Sequence, residues 1–264
     1  MKVAFIGGGN MAGALIAGML DAGYSPRDIE VLEIDSERAA ALTQVHRVKA
    51  HAQPGEWLAA SDVIVLAVKP QQMHDAAAAI KSLLARPLVL SIAAGVRAGQ
   101  IADWLATRQI VRAMPNMPAV IRSSITGAIA LADVTAEQKS AADKILRAVG
   151  SVIWLDDEAM LDAVTAVSGS GPAYVFYFIE AIQTAARELG FDDAQAKLLT
   201  VQTFVGAAQL AAQSSESVGA LRERVTSKGG TTAAAIASLD RDKVDEAISR
   251  ALHAAARRAQ ELGR

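Results

Sequence analysis

The chain has 264 residues, a net charge of −2 and no cysteine. That length allows one large domain or two modest ones, and the near-neutral charge gives no electrostatic reason to bind nucleic acid or an anionic membrane. The lack of cysteine excludes disulfides, thiolate metal sites and a cysteine nucleophile, and His46, His51, His74 and His253 lack zinc-type spacing, so no metal is expected.

"KVAFIG" is a short apolar run ending in glycines and reads as a buried strand. "NMAGALIAGMLDAG" has helical spacing and stops at Gly23. "IEVLEID" is a second strand, and "SERAAALTQ" a helix capped by Asp35 or Ser36. "DVIVLAVKP" is a third strand. "LVLSIAAG", "QIVRAMPN" and "ITGAIALA" supply further strands, with helical stretches between most of them. Such alternation predicts an α/β fold, a parallel, doubly wound sheet covered by helices on both faces.

After "VIWLDDE" the pattern turns wholly helical, which sets domains at 1–158 and 159–264. The second holds three long helical segments, and its 173–179 run is apolar on nearly every side. A helix of that kind is buried all round. About a hundred helical residues make only a small core, so this surface is expected either to meet a second subunit or to pack on the first domain. The composition, 52% hydrophobic but 4% aromatic, implies cores of alanine and small aliphatics. No run reaches the about 18 uncharged apolar residues of a membrane span. "MKVAFIGGGN" is too glycine-interrupted for a signal peptide, so a cytoplasmic protein is expected.

"GGGNMA" places Gly7, Gly9 and Ala12 in G-x-G-x-x-A spacing between the first strand and first helix. Gly7 permits the turn, Gly9 lets the backbone approach a pyrophosphate, and Ala12 keeps helix and strand close. Asp35 follows at the end of the second strand. Its carboxylate either accepts from an adenosine ribose or caps the next helix, and Arg38, one turn on, offers a site for a 2′-phosphate. Lys69 reads as a partner for cofactor phosphate or ribose, or as a solvated lysine. Asn116, between Pro115 and Pro118, reads as a nicotinamide contact or as part of a structural turn.

Taken together, "IGGGNMA" (6–12), "LAVKP" (66–70) with "SIAAGV" (91–96), "RAMPNMPA" (112–119), and "SGSGPAYVF" (168–176) followed by "VTSKGGTT" (225–232) resemble the pyrroline-5-carboxylate reductases. The stretches stand in the family's order and span nearly the whole chain. Lys228 departs from the proline that many members carry there. The resemblance implies reduction of 1-pyrroline-5-carboxylate to L-proline with NADPH or NADH, the last step of proline biosynthesis. It implies a Rossmann domain followed by a helical substrate-binding and dimerisation domain, with a homodimer as building unit and decamers of five dimers in some members. Cofactor contacts carry over onto Ile6, Gly7, Gly8, Gly9, Asn10 and Met11, onto Ala67, Val68, Lys69 and Pro70, and onto Ala93 and Ala94. Substrate contacts carry over onto Gly229, Gly230, Thr231 and Thr232, and onto Glu158. Thr232 is the expected catalytic contact, its hydroxyl placed to bond the ring nitrogen.

Two other readings compete. A β-hydroxyacid dehydrogenase joins similar domains but needs a positioned lysine near a glycine-rich helix start, and "SGSGPAYVFYFIEA" has none. A non-catalytic nicotinamide-nucleotide sensor would leave the 225–232 loop without a role.

Overall fold

The computed structural model describes residues 1–263. The strands are β1 (Val3–Ile6), β2 (Ile29–Leu32), β3 (Lys49–His51), β4 (Val63–Leu66), β5 (Leu88–Ser91), β6 (Ile110–Met114), β7 (Ser124–Ala130) and β8 (Gly150–Trp154). They form one sheet in the order β3-β2-β1-β4-β5-β6-β7-β8. Its first half carries α1 (Asn10–Asp21), α2 (Ser36–His46), α3 (Met73–Ile80) and α4 (Ala98–Leu105), and its second half α5 (Ala136–Arg147) and α6 (Met160–Val164).

The strands predicted from apolar runs are present. β3 escapes that reading because Lys-Ala-His is neither apolar nor clearly alternating, and its residues are exposed or half-buried. A second difference is direction: β6 and β7 are antiparallel, whereas all other neighbours are parallel. Only residues 115–123 join them, folded largely into a 3₁₀ turn at Met117–Ile121. A parallel return needs a crossover of about a dozen residues or more, so this short link forces reversal.

Alternate residues of β1 feed the two faces. Val3 and Phe5 pack with Leu15, Ile16 and Met19 of α1 and Ile145 and Leu146 of α5. Ala4 and Ile6 join Met73, Ala77 and Ile80 of α3 and Ile101 of α4. The chain runs outward from β1 to β3, then returns to the other side of β1 to make β4. The carboxyl ends of β1 and β4 therefore flank the switch point at which doubly wound sheets bind ligands.

Two compact units result: Met1–Ser170 with the residues from Ala255 onward, and Gly171–Ala254. The sequence pattern breaks at 158, where strands stop. Packing breaks later because α6 still covers the sheet: Leu161 is fully buried, and a Cβ on Gly127 of β7 would lie 2.8 Å from Val164.

The second unit holds α7 (Gly171–Glu188), α8 (Asp193–Gln213), α9 (Val218–Arg224), α10 (Thr231–Arg241) and most of α11 (Val244–Leu262). Its only buried side chains among the described residues are Ala196 and Thr200. The all-round burial expected for 173–179 is not met within one chain: no residue of α7 is buried, and Tyr177 is 70% exposed. Among the described residues, no helix is long and apolar enough to cross a membrane.

Candidate active site

Three loops meet the carboxyl ends of β1, β4 and β5. The first is the glycine turn. Gly7 sits at φ +98°, and a Cβ there would lie 2.9 Å from both the Ala67 carbonyl oxygen and Val68 Cγ1. Gly7→Ala is thus expected to cost at least about 1–2 kcal/mol from the backbone conformation alone, measurable by chemical denaturation. Gly7 donates its N–H to the Leu32 carbonyl at 2.8 Å, and Ala67 donates to the Ile6 carbonyl at 2.9 Å, so the loop after β1 is tied to the end of β2 and the loop after β4 to the end of β1.

Gly9 is the N-cap of α1. A Cβ on it would meet nothing within 4 Å, no side chain caps the helix, and its first turn holds no acid. The first N–H groups of a helix lack intrahelical partners and carry its positive pole. A dinucleotide diphosphate fits this open, uncapped end, beside Asn10 and Met11.

Gly8 plays a different part. It donates its N–H to Glu33 Oε2 at 2.9 Å, while Asp35 donates its N–H to Glu33 Oε1 at 2.8 Å. Glu33 is buried and ties the glycine loop to the start of α2. Sequence reading passed over Glu33 in favour of Asp35, two residues on. What separates them is where the strand ladder stops: Glu33 continues β2 and donates its own N–H to the His51 carbonyl at 2.9 Å, while Asp35 lies past it as the N-cap of α2.

Asp35 is the N-cap of α2 and accepts the Arg38 N–H at 3.0 Å and the Arg38 guanidinium at 3.2 Å. The backbone bond from Arg38, then the guanidinium charge, holds its carboxyl below the usual carboxylate range. The capping reading of Asp35 is therefore present in the structure. Arg38 stays half in solvent, also 3.8 Å from Glu33.

Ala67 and Val68 are half-buried, while Lys69 and Pro70 are exposed. Lys69 makes no ion pair among the described residues. Ala93 is buried beside Ser91, whose hydroxyl accepts the Ala93 N–H at 3.4 Å, and Ala94 is half-buried. Asn116 is buried, and its side chain is largely committed. Its oxygen accepts from the Ser124 hydroxyl at 2.9 Å and the Ile125 N–H at 3.1 Å, and its amide donates to the Ser168 carbonyl at 3.0 Å. The amide retains one hydrogen for a ligand. Ser168 lies in a π-helical turn, Thr165–Gly169, of the kind that often marks functional sites.

Glu158 carries a role that the sequence did not disclose. Its Oε1 accepts from Arg112 Nη1 at 2.7 Å and from the Ala98 N–H at 2.8 Å. Arg112 stands in β6 and is 3% exposed. A second pair, Arg97 with buried Asp162 at 2.7 Å, lies alongside in sequence. A lone arginine inside "QIVRAMPN" was the available clue, because a buried charge requires a partner.

The remaining predicted residues belong to the second unit. Gly229 has φ +73°, and Gly230 is the N-cap of α10 without a side-chain cap. A Cβ on Gly230 would lie 2.6 Å from Ser227 Oγ, the rotatable end of an exposed side chain, so the backbone calls for glycine at Gly229 alone. Thr231 is exposed and Thr232 half-buried, and among the described residues the Thr232 hydroxyl makes no hydrogen bond. An uncapped helix start with a free hydroxyl suits a small anion.

Residues 158–262 match the family model described as pyrroline-5-carboxylate reductase dimerisation, and 2–95 that of an NADP oxidoreductase, coenzyme F420-dependent. A pyrroline-5-carboxylate reductase of Pseudomonas aeruginosa is 42% identical over 263 residues, covering 99% of this chain and 96% of that protein. The chain belongs to the pyrroline-5-carboxylate reductase family. The solved structure of a family member from Coxiella burnetii superimposes with a TM-score of 0.94 at 41% identity, covering 100% of this chain and 98% of that one. The Plasmodium falciparum pyrroline carboxylate reductase, solved with NADP bound, gives 0.90 at 26% identity, over 100% and 98% of the two chains. Family membership makes this chain an NAD(P)H-dependent oxidoreductase with a region for self-association, and it decides against the hydroxyacid dehydrogenase and sensor readings.

Proposed function

We infer that the chain reduces 1-pyrroline-5-carboxylate to L-proline with NADPH or NADH, the last step of proline biosynthesis. The observation that carries this is that each unit has an uncapped glycine turn opening a helix, at Gly9 and at Gly230, in a chain of this family. Gly7, Gly9 and the first N–H groups of α1 hold the diphosphate, and the 67–70 and 93–94 loops line the nucleotide beside them. The bound dinucleotide supplies the hydride that the imine carbon receives. Backbone N–H groups of 229–232 hold the substrate carboxylate, and the Thr232 hydroxyl bonds the ring nitrogen. The protonated imine is already electrophilic, so the protein mainly positions the reactants and excludes water. Loss of nicotinamide absorbance that depends on added pyrroline-5-carboxylate tests the reading. Turnover of a hydroxyacid with no response to the imine would overturn it.

Asp35 and Glu33 put two carboxylates against one guanidinium at the end of β2, which disfavours a 2′-phosphate. NADH is expected to be at least competitive with NADPH, and Asp35→Ser to move preference toward NADPH. Serine caps a helix as well as aspartate, so the fold is retained. Steady-state kinetics with both cofactors checks this. An unchanged ratio would assign discrimination to Glu33.

The working state is a homodimer in the cytoplasm, where its nicotinamide nucleotides are held. The second unit exposes Phe176, Tyr177, Leu189 and Leu198 at 43% or more, and apolar area on that scale favours association. Sedimentation at low micromolar concentration is expected to show no monomer. It also reads whether dimers stack into a decamer. A stable, active monomer would overturn the assignment.

A further inference from the structure

The last turn of α11 lies on the loop that follows β5. Gly95 has φ +77°, and a Cβ there would sit 3.2 Å from the Leu262 carbonyl oxygen and 3.3 Å from Leu262 Cβ. One residue later, a Cβ on Gly263 would lie 2.9 Å from Arg97 Nε. Gly263 is buried, and Ala259 is the buried residue of α11. From the other side, Asp162 holds the Arg97 guanidinium at 2.7 Å, and Glu158 accepts the Ala98 N–H at 2.8 Å. Residues 93–98 are thus gripped at Gly95 and Arg97 by the chain's last turn, and at Arg97 and Ala98 by 158–162.

We propose that the turn 259–263 is a positioning element for the nucleotide, holding the 93–95 loop in the conformation that receives NAD(P)H. This rests on the reading of Ala93 and Ala94 as cofactor contacts. A short loop with a left-handed glycine has several backbone states open to it, and binding must select one. The last turn limits that freedom in advance, because Leu262 lies against Gly95, and the Arg97 guanidinium, held by Asp162, lies beside Gly263.

The test uses three variants of the full chain. Gly263→Val forces a larger side chain against Arg97, Ala259→Glu sets a charge at the buried anchor of the turn, and Ala94→Glu alters the loop itself. NADH and NADPH dissociation constants come from nicotinamide fluorescence, and loop protection from amide hydrogen exchange at 93–98. In the first two variants the dissociation constants and the KM for NAD(P)H are expected to rise about 5-fold or more, the equivalent of about one residue's backbone freedom. Exchange at 93–98 should rise with them, while kcat and the KM for pyrroline-5-carboxylate stay near wild type. A merely structural turn would lower thermal stability without this split. If Ala94→Glu weakens binding but both turn variants bind like wild type, the positioning role is overturned and the loop assignment stands. If Ala94→Glu binds normally, the loop assignment fails and the proposal with it.

Discussion

Replacing Thr232 with valine is expected to lower kcat/KM for pyrroline-5-carboxylate roughly 10- to 150-fold, the equivalent of losing one hydrogen bond to a charged group at about 1.5–3 kcal/mol. Valine nearly matches threonine in shape and removes only the hydroxyl. That hydroxyl makes no hydrogen bond among the described residues, so its loss orphans no protein group. Gly230, not Thr232, is the N-cap of α10, and the cap geometry survives the change. Cofactor affinity should also survive, because the residues proposed to hold the dinucleotide lie between Ile6 and Asn116. Steady-state kinetics beside a fluorescence titration with NAD(P)H separates the two effects. A variant with unchanged kcat/KM would show that 229–232 serves only to start a helix. A variant that loses cofactor binding as well would move Thr232 out of the substrate role.

Glu158→Ala is expected to lower folding stability by about 3 kcal/mol, near the lower end for removing one partner of a buried ion pair. The Arg112 side chain is only 4% exposed, so its charge would remain in the interior, and the Ala98 N–H would lose its acceptor as well. Glu158 itself is 26% exposed, and water reaching its place keeps the loss from the upper end of that range. Chemical denaturation measures it, and a loss under about 1 kcal/mol would mean that solvent reaches the guanidinium freely. Glu158→Gln resolves the other expectation for this residue. Glutamine keeps an acceptor for Arg112 and Ala98, so a raised KM for pyrroline-5-carboxylate in a stable Gln variant marks a direct substrate contact. An unchanged KM marks a residue that works through Arg112 and the 93–98 loop.

The parts legible in the sequence are those governed by local pattern. β1, β4 and β5 are short aliphatic runs whose apolar faces leave no alternative to burial between helices. Gly7 and Gly9 stand in G-x-G-x-x-A spacing between an apolar strand and a helical pattern, which together mark the turn, and Gly229 and Gly230 announce the second turn. The family itself was visible because several of its motifs are turns whose backbone favours glycine, by positive φ at Gly7 and Gly229 and by close approach at Gly7. Element boundaries and partnership are harder to read. Asp35 drew attention as the acid after the second strand, yet it caps α2, while Glu33 reaches into the glycine loop. That choice depends on where β2 ends and α2 begins: Glu33 is still held by the ladder, and Asp35 is already the helix cap.

Direction and long-range pairing were decided only in three dimensions. The β6–β7 reversal follows from the short link 115–123. Arg112 found Glu158 across 46 positions, and Gly95 found Leu262 across most of the remaining chain. Nothing in either local segment encodes such a partner, because a buried guanidinium states only that it must be neutralised, and the fold determines by which carboxylate. The same reason explains the second unit. Its sequence specified helices too apolar for water, but a helix needs neighbours on every apolar side to be buried, and one chain's α7 to α11 are too few to supply them.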